Sequence, residues 1–190
     1  MPISENRTQF ALLLRILHWL MAASLLAMVF IGLTMVSSLG DYHRLLAIHR
    51  PLGVLIFILA NIRLGTRMFT GAPTLPSSMS PVEIIVAKAS ECLLYTLFFA
   101  LPLVGWGMLS AGHYPITMFG SVHLPPILPA KPELYAALRE THTVLAYLLF
   151  LTFLAHMSAV LFHALILRDG LLSRMLPWRA HPVGVASQPK

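Results

Sequence analysis

Four long apolar stretches, separated by short segments rich in proline, glycine, serine and aspartate, dominate the pattern of this chain. A helix needs about 20 apolar residues to cross the roughly 30 Å hydrocarbon layer of a bilayer, and each stretch meets that length. The pattern predicts spans over residues 11–36, 45–69, 82–110 and 134–167. Ser37, Ser38, Leu39, Gly40 and Asp41 close the first, and TGAPTLPSSMSP separates the second from the third. Residues 111–133 carry Pro115, Pro125, Pro126, Pro129 and Pro132, so this outer connection is not one continuous helix. Pro51 is expected near the first turn of its helix, where a missing N–H costs little. Pro102 and Gly105 lie inside the third span, where neighbouring helices offset the lost hydrogen bond and a kink is expected. The fold class is therefore all-α, an integral membrane four-helix bundle of two antiparallel hairpins, with residues 1–190 forming a single membrane domain.

Composition strengthens that reading. Hydrophobic residues make up 57% of the 190 and charged residues 11%, with a mean hydropathy of +0.78, whereas soluble domains carry about a quarter charged residues. Four spans and their connections use the whole length, which leaves no room for a soluble catalytic domain. The net charge of +6 does not indicate nucleic acid, because the bases sort by the ends of the spans. Arg7, Arg15, Arg63, Arg67, Lys88, Arg168, Arg174, Arg179 and Lys190 fall at one set of ends, and Arg44, Arg50, Lys131 and Arg139 at the other. The positive-inside rule then places both termini in the cytoplasm. The first apolar run lacks a small-residue cleavage site and is expected to be a retained span.

Four histidines sit inside or at the ends of these runs: His18, His49, His142 and His156. An ionisable side chain in a bilayer is by default functional, and axial ligation of haem iron uses the neutral imidazole. His142 and His156 are fourteen residues apart, within about 40° of one helix face and about 21 Å apart along the axis. One helix can thus serve two haems. His49 and His142 share the outer depth, while His18 lies inside the opposite end of the first span, within reach of the deeper histidines of the fourth. His163, seven residues beyond His156, shares that face to within about 20°, so depth alone does not choose between the two. Cys92 is the only cysteine, which excludes an internal disulfide, a thiolate-held iron–sulfur cluster and covalent haem attachment; any haem is b-type.

Haem carboxylates need cationic partners near an interface. Arg50 and Arg139 are placed for the outer haem, and Arg15 or Arg67 for the inner one; snorkelling to headgroups is the plainer reading for Arg67 and Arg174. Gly53, Ala146 and Ala22 each follow a candidate ligand by one turn and permit close backbone approach. His43, His113, His123 and His181 fall in predicted loops or the tail, without zinc-ligand spacing. His43, Arg44, Lys131 and Arg139 would make the outer mouth attractive to a small anion.

Over residues 10–178 the chain resembles the bacterial cytochrome b561 family. The resemblance is carried in order by LLLRILHWL, LLAIHRPLGVLIFILANIRLGTRMF, LLYTLFFALPLVGWGML, RETHTVLAYLLFLTFLAH and RDGLLSRMLP. It implies two non-covalent haem b groups, one between His18 and His156 and one between His49 and His142. It also implies residence in the bacterial inner membrane, with lipid around the bundle. Electron transfer would link a membrane quinone such as ubiquinone to a periplasmic small-molecule or protein redox partner, and superoxide is one donor known in the family. That would make the chain a quinone-linked oxidoreductase resembling a superoxide oxidase. The alternative is a haem-bearing anchor subunit of a larger dehydrogenase or hydrogenase. Similar proteins often have histidine where this chain has Glu91, and many have a second histidine where it has Ala164. These departures touch the quinone or proton site. His163 is left as a carboxylate contact, a proton-handling group or an interfacial histidine, and Glu91 as a proton relay or a partner of a neighbour such as Lys88. The sequence does not fix the oligomeric state.

Overall fold

The computed structural model describes residues 9–73, 79–118 and 121–177. Its framework is four helices: α1 (Leu12–Ser37), α2 (Tyr42–Thr70), α3 (Pro81–Ala111) and α4 (Pro132–Phe162). All four are long and apolar enough to cross a membrane, and the protein is an all-α membrane four-helix bundle. Most of their surface faces outward, with Phe30, Leu33, Val36, Phe69, Ile85, Tyr147 and Leu151 all exposed. Side chains of this kind on the outside of a bundle are solvated by acyl chains, which are as apolar as they are. Polar residues on the helices are satisfied locally instead. Thr34, Asn61, Thr66, Thr96 and Thr152 each donate to the carbonyl four residues earlier in their own helix, as backbone and side chains in lipid must.

Sequence sets the helix ends. Ser80 begins α3 with a reciprocal capping box: its Oγ accepts from the Glu83 N–H, and the Glu83 carboxylate accepts from the Ser80 N–H at 2.6 Å. Pro81 and Pro132 occupy first-turn positions, where a proline costs nothing because that N–H has no intrahelical partner. The helix α2 begins at Tyr42, earlier than the pattern predicts, because Asp41 and the preceding turn lead directly into it. Pro51 is therefore inside the helix rather than in its first turn, and His43 belongs to the first turn rather than to a loop. At its far end α4 widens into a π-helical turn over His163–Leu167. Arg168 (φ 52°) and Gly170 (φ 76°) then turn the chain in left-handed conformations.

The closest packing is within each hairpin, α1 against α2 and α3 against α4, with α2 against α3 joining them. Residues 38–41, 112–118 and 121–131 mark the loop end of the bundle; residues 9–11, 70–73, 79–80 and 168–177 mark the tail end. The connection between α3 and α4 contains a short hairpin of two-residue strands that the sequence did not indicate, β1 (Thr117–Met118) antiparallel to β2 (Val122–His123). This connection is fastened to α3 by Trp106 Nε1, which donates to the Pro125 carbonyl, and by the Ile127 N–H, which donates to Ser110 Oγ. At the tail end, Gln9, Phe10 and Trp19 bond to the carbonyls of Ser173, Arg174 and Met175. The RDGLLSRMLP segment is thereby folded over the start of α1.

A buried cluster of Leu25, Leu97, Leu101 and Leu149, with Phe98, Leu145 and Phe153 against it, joins α1, α3 and α4 halfway through the bundle. Leu149 falls seven residues from both His142 and His156, and buried Ile56 falls seven from His49 on α2. Seven residues are close to two turns, so each helix carries this apolar layer on the face that also carries its histidines. Replacing Leu149 by alanine should lower stability by about 2–5 kcal/mol, the usual range for emptying a buried leucine site. Unfolding in detergent micelles measures it, and an unchanged midpoint would show that the layer is not packed as described.

Candidate functional site

Two pairs of histidines lie on either side of this apolar layer. Toward the loop end, His49 on α2 and His142 on α4 face one another with ring centroids 6.3 Å apart and planes at 63°. Two imidazoles on opposite sides of one metal ion, with bonds of about 2.0–2.1 Å, put their ring centres about 6 Å apart. The Nδ1 atoms of both rings are buried without a hydrogen-bond partner. The Leu101 carbonyl interacts with His142, but not at hydrogen-bonding geometry. Gly105 faces this ring as well: a Cβ there would stand 3.3 Å from His142 Cε1. In the sequence Gly105 is visible only as a helix interruption, and nothing in the local pattern signals its contact with His142. Small-residue spacing one turn after each histidine signalled Gly53, whose added Cβ would meet only Met28.

Toward the tail end, His18 on α1 and His156 on α4 are electrostatic neighbours, and both also feel Arg63 of α2. His49 and His142 thus face one another directly, while His18 and His156 lie within electrostatic range of each other at the opposite end. His163 goes elsewhere. It is buried just past the end of α4, and its Nδ1 donates to Asp169 Oδ2 at 2.5 Å. Asp169 Oδ1 accepts from the Leu171 N–H. A small cavity of about 240 Å³ beside this pair is lined by Met79, Glu83, His163, Leu167 and Asp169.

The arginines divide by partner. Arg50 follows His49, donates through Nη1 to the Pro115 carbonyl at 3.2 Å, and keeps a buried Nε without a partner. Arg139 is exposed one turn before His142. Arg15 is buried and donates to Gln9 Oε1 and to the Leu176 carbonyl. Arg67 bonds Glu91 at 3.0 Å and covers the Phe10 ring, so Glu91 is paired across helices and not with Lys88. Arg63, which the sequence reading left among the bases of the inner end, donates through Nη1 to Tyr95 Oη at 2.5 Å. Its signal was present in the chain, since Arg63 follows His49 by fourteen residues, the same interval that separates His142 from His156. Of the remaining histidines, His43 is exposed on α2, His113 adopts φ 56° in the outer loop and His123 is exposed on β2. Arg7, Arg179, His181 and Lys190 lie outside the described residues.

A facing pair of imidazoles inside an apolar bundle, His49 and His142, with no hydrogen bond at Nδ1 and a spacing that admits one metal ion, is an arrangement that suits a membrane cytochrome. The sequence agrees: the chain belongs to the prokaryotic cytochrome b561 family, whose model matches residues 9–178. It is 29% identical to cytochrome b561 homolog 2 of Escherichia coli (strain K12) over 191 residues, 97% of this chain and all of that protein. It is also 28% identical to the probable superoxide oxidase CybB of Yersinia pestis over 130 residues, covering 68% of this chain and 73% of that one. Similarity to cytochrome b561 homolog 1 of Escherichia coli (strain K12) is 26% over 131 residues. Membership makes this a multi-pass membrane protein of electron transport and implies that it binds haem b.

The His163–Asp169 pair yields a pH prediction. Burial opposes ionisation of Asp169, but the hydrogen bonds from His163 and the Leu171 N–H outweigh it and hold the carboxyl below its ordinary value of 3.8. The stabilisation is therefore complete above that value and is lost as pH falls through the lower folded one. Asp169→Asn should reduce thermal stability at neutral pH and flatten the acid limb of the profile. A variant profile that overlays the parent's would show that the pair contributes nothing.

Proposed function

We propose that the chain carries two haem b groups, one between His49 and His142 and one between His18 and His156. In this reading it moves single electrons between a periplasmic partner and membrane quinone. The observation that carries the proposal is the facing pair His49 and His142, with His18 and His156 within electrostatic range of one another toward the opposite end of the bundle, beyond buried Ile56 and Leu149. Each haem, when bound, supplies a reversible one-electron carrier; the protein supplies ligands, dryness and fixed charge. The half-buried imidazoles are carried on rigid helices, and Gly105 packs against the His142 ring. Arg50 and Arg139 are proposed to serve the carboxylates of the haem at the loop end.

The termini are assigned to the cytoplasm of a bacterial inner membrane, since the tail end carries most of the basic residues. The loop end then faces the periplasm, where Arg44, Arg50, Lys131 and Arg139 create a field that draws in a small anion. Superoxide fits that description, and the similarity to a probable superoxide oxidase supports it. Two superoxide anions give up one electron each and leave as dioxygen. One quinone takes both electrons with two protons from the cytoplasmic side and becomes quinol. The membrane around the bundle delivers the quinone, and a periplasmic redox protein is the variant donor or acceptor.

Replacing His49 or His142 by alanine should remove one haem and leave the other's spectrum, and replacing His18 or His156 should do the reverse. Retention of both haems after any one replacement would refute that ligand. Rapid mixing of the oxidised protein with superoxide should reduce the haems, and added ubiquinone should reoxidise them. Two haems inert to superoxide and quinone would instead favour an anchor subunit fed by a soluble dehydrogenase or hydrogenase.

A further inference from the structure

The two levels of the bundle are not equivalent in what α2 contributes. At the loop-end level it presents His49. Fourteen residues later, on nearly the same face and about 21 Å deeper, it presents Arg63. The helices α2 and α4 run in the same direction, and His142 and His156 are separated by the same fourteen residues. Arg63 therefore stands at the level of His156, where α1 and not α2 brings the second histidine. A guanidinium at this depth is expensive unless it meets an anion or hydrogen-bond acceptors. Its Nη1 donates to Tyr95 Oη and its Cζ lies 5.5 Å from the Tyr95 ring centre, while Nε is buried without a partner. Arg15 and Arg67, the two arginines that the sequence offered for the inner haem, are already bonded to Gln9 and the Leu176 carbonyl and to Glu91. Tyr95 holds the guanidinium with its hydroxyl, and among the described residues no carboxylate forms an ion pair with it.

We propose that Arg63 binds a carboxylate of the haem held between His18 and His156, with Tyr95 as the brace that fixes the guanidinium. This rests on the two-haem reading above and adds to it an anchor and an electrostatic asymmetry. A cation beside an iron centre disfavours the more positive oxidised state, so Arg63 raises the potential of the tail-end haem. The bidentate geometry of arginine with a carboxylate adds orientation that a lysine point charge lacks.

The test uses the full chain in lipid nanodiscs, with haem content and a redox titration of the visible spectrum for the parent, Arg63→Gln, Arg63→Lys and Tyr95→Phe. The component lost in His156→Ala identifies the tail-end haem. Arg63→Gln should move the midpoint of that component to more negative potential, or release that haem alone, and leave the other component in place. Arg63→Lys should restore most of the midpoint, and Tyr95→Phe should shift it in the same direction as Arg63→Gln but less. Unchanged midpoints in Arg63→Gln, or a shift confined to the component lost in His142→Ala, would overturn the assignment. Loss of both haems in Arg63→Gln and in Arg63→Lys alike would also overturn it, since it would mark Arg63 as a residue of the fold. A parent chain without two haems, or His18 and His156 variants that lose different components, would instead defeat the underlying reading.

Discussion

Everything in this bundle depends on the need of a polar group inside a bilayer for a partner. The four candidate histidines lie within long apolar helices, and two of them, His49 and His142, keep a buried Nδ1 with no hydrogen bond among the described residues. A soluble protein would satisfy such groups with water. Here the helices themselves satisfy only the smaller ones, such as Thr152, through their own backbone. His49 and His142 are instead set opposite one another, and in the function proposed above a metal ion held between each pair of histidines is the partner that repays their burial.

The heptad interval turns that requirement into architecture. His142, Leu149 and His156 succeed each other at seven residues on α4, and His49, Ile56 and Arg63 do so on α2. Both series keep a single face toward the bundle interior because seven residues make almost two turns. The resulting order is polar, apolar, polar through the depth of the membrane. The apolar middle layer keeps the two polar levels apart. The tail segment after α4, fastened to Gln9, Phe10 and Trp19, closes the end that holds His18.

The four helices and the family were legible in the sequence because long apolar runs and ordered local motifs survive without any knowledge of packing. The resemblance read over residues 10–178 and the family match over 9–178 nearly coincide. The outer hairpin was not legible, because two-residue strands held by Trp106 and Ser110 leave no periodic trace. Side-chain partners were the least accessible. Glu91 had Lys88 as a neighbour in the chain, yet its partner is Arg67 across the helix interface. His163 and His156 could not be separated by helical angle, since they differ by little more than a register step. What separates them is the π-turn and left-handed Arg168 and Gly170, which bring Asp169 back to His163. Arg63 was hidden for another reason: its spacing from His49 was visible, but an arginine near a helix end reads first as an anchor to headgroups.

The central claim is that one chain holds two haem b groups at two levels. Haem stoichiometry of the purified chain, measured together with a redox-titrated visible spectrum, tests it most directly. The account predicts two low-spin b-type haems per chain that titrate as two components. One haem per chain, or none, would contradict it.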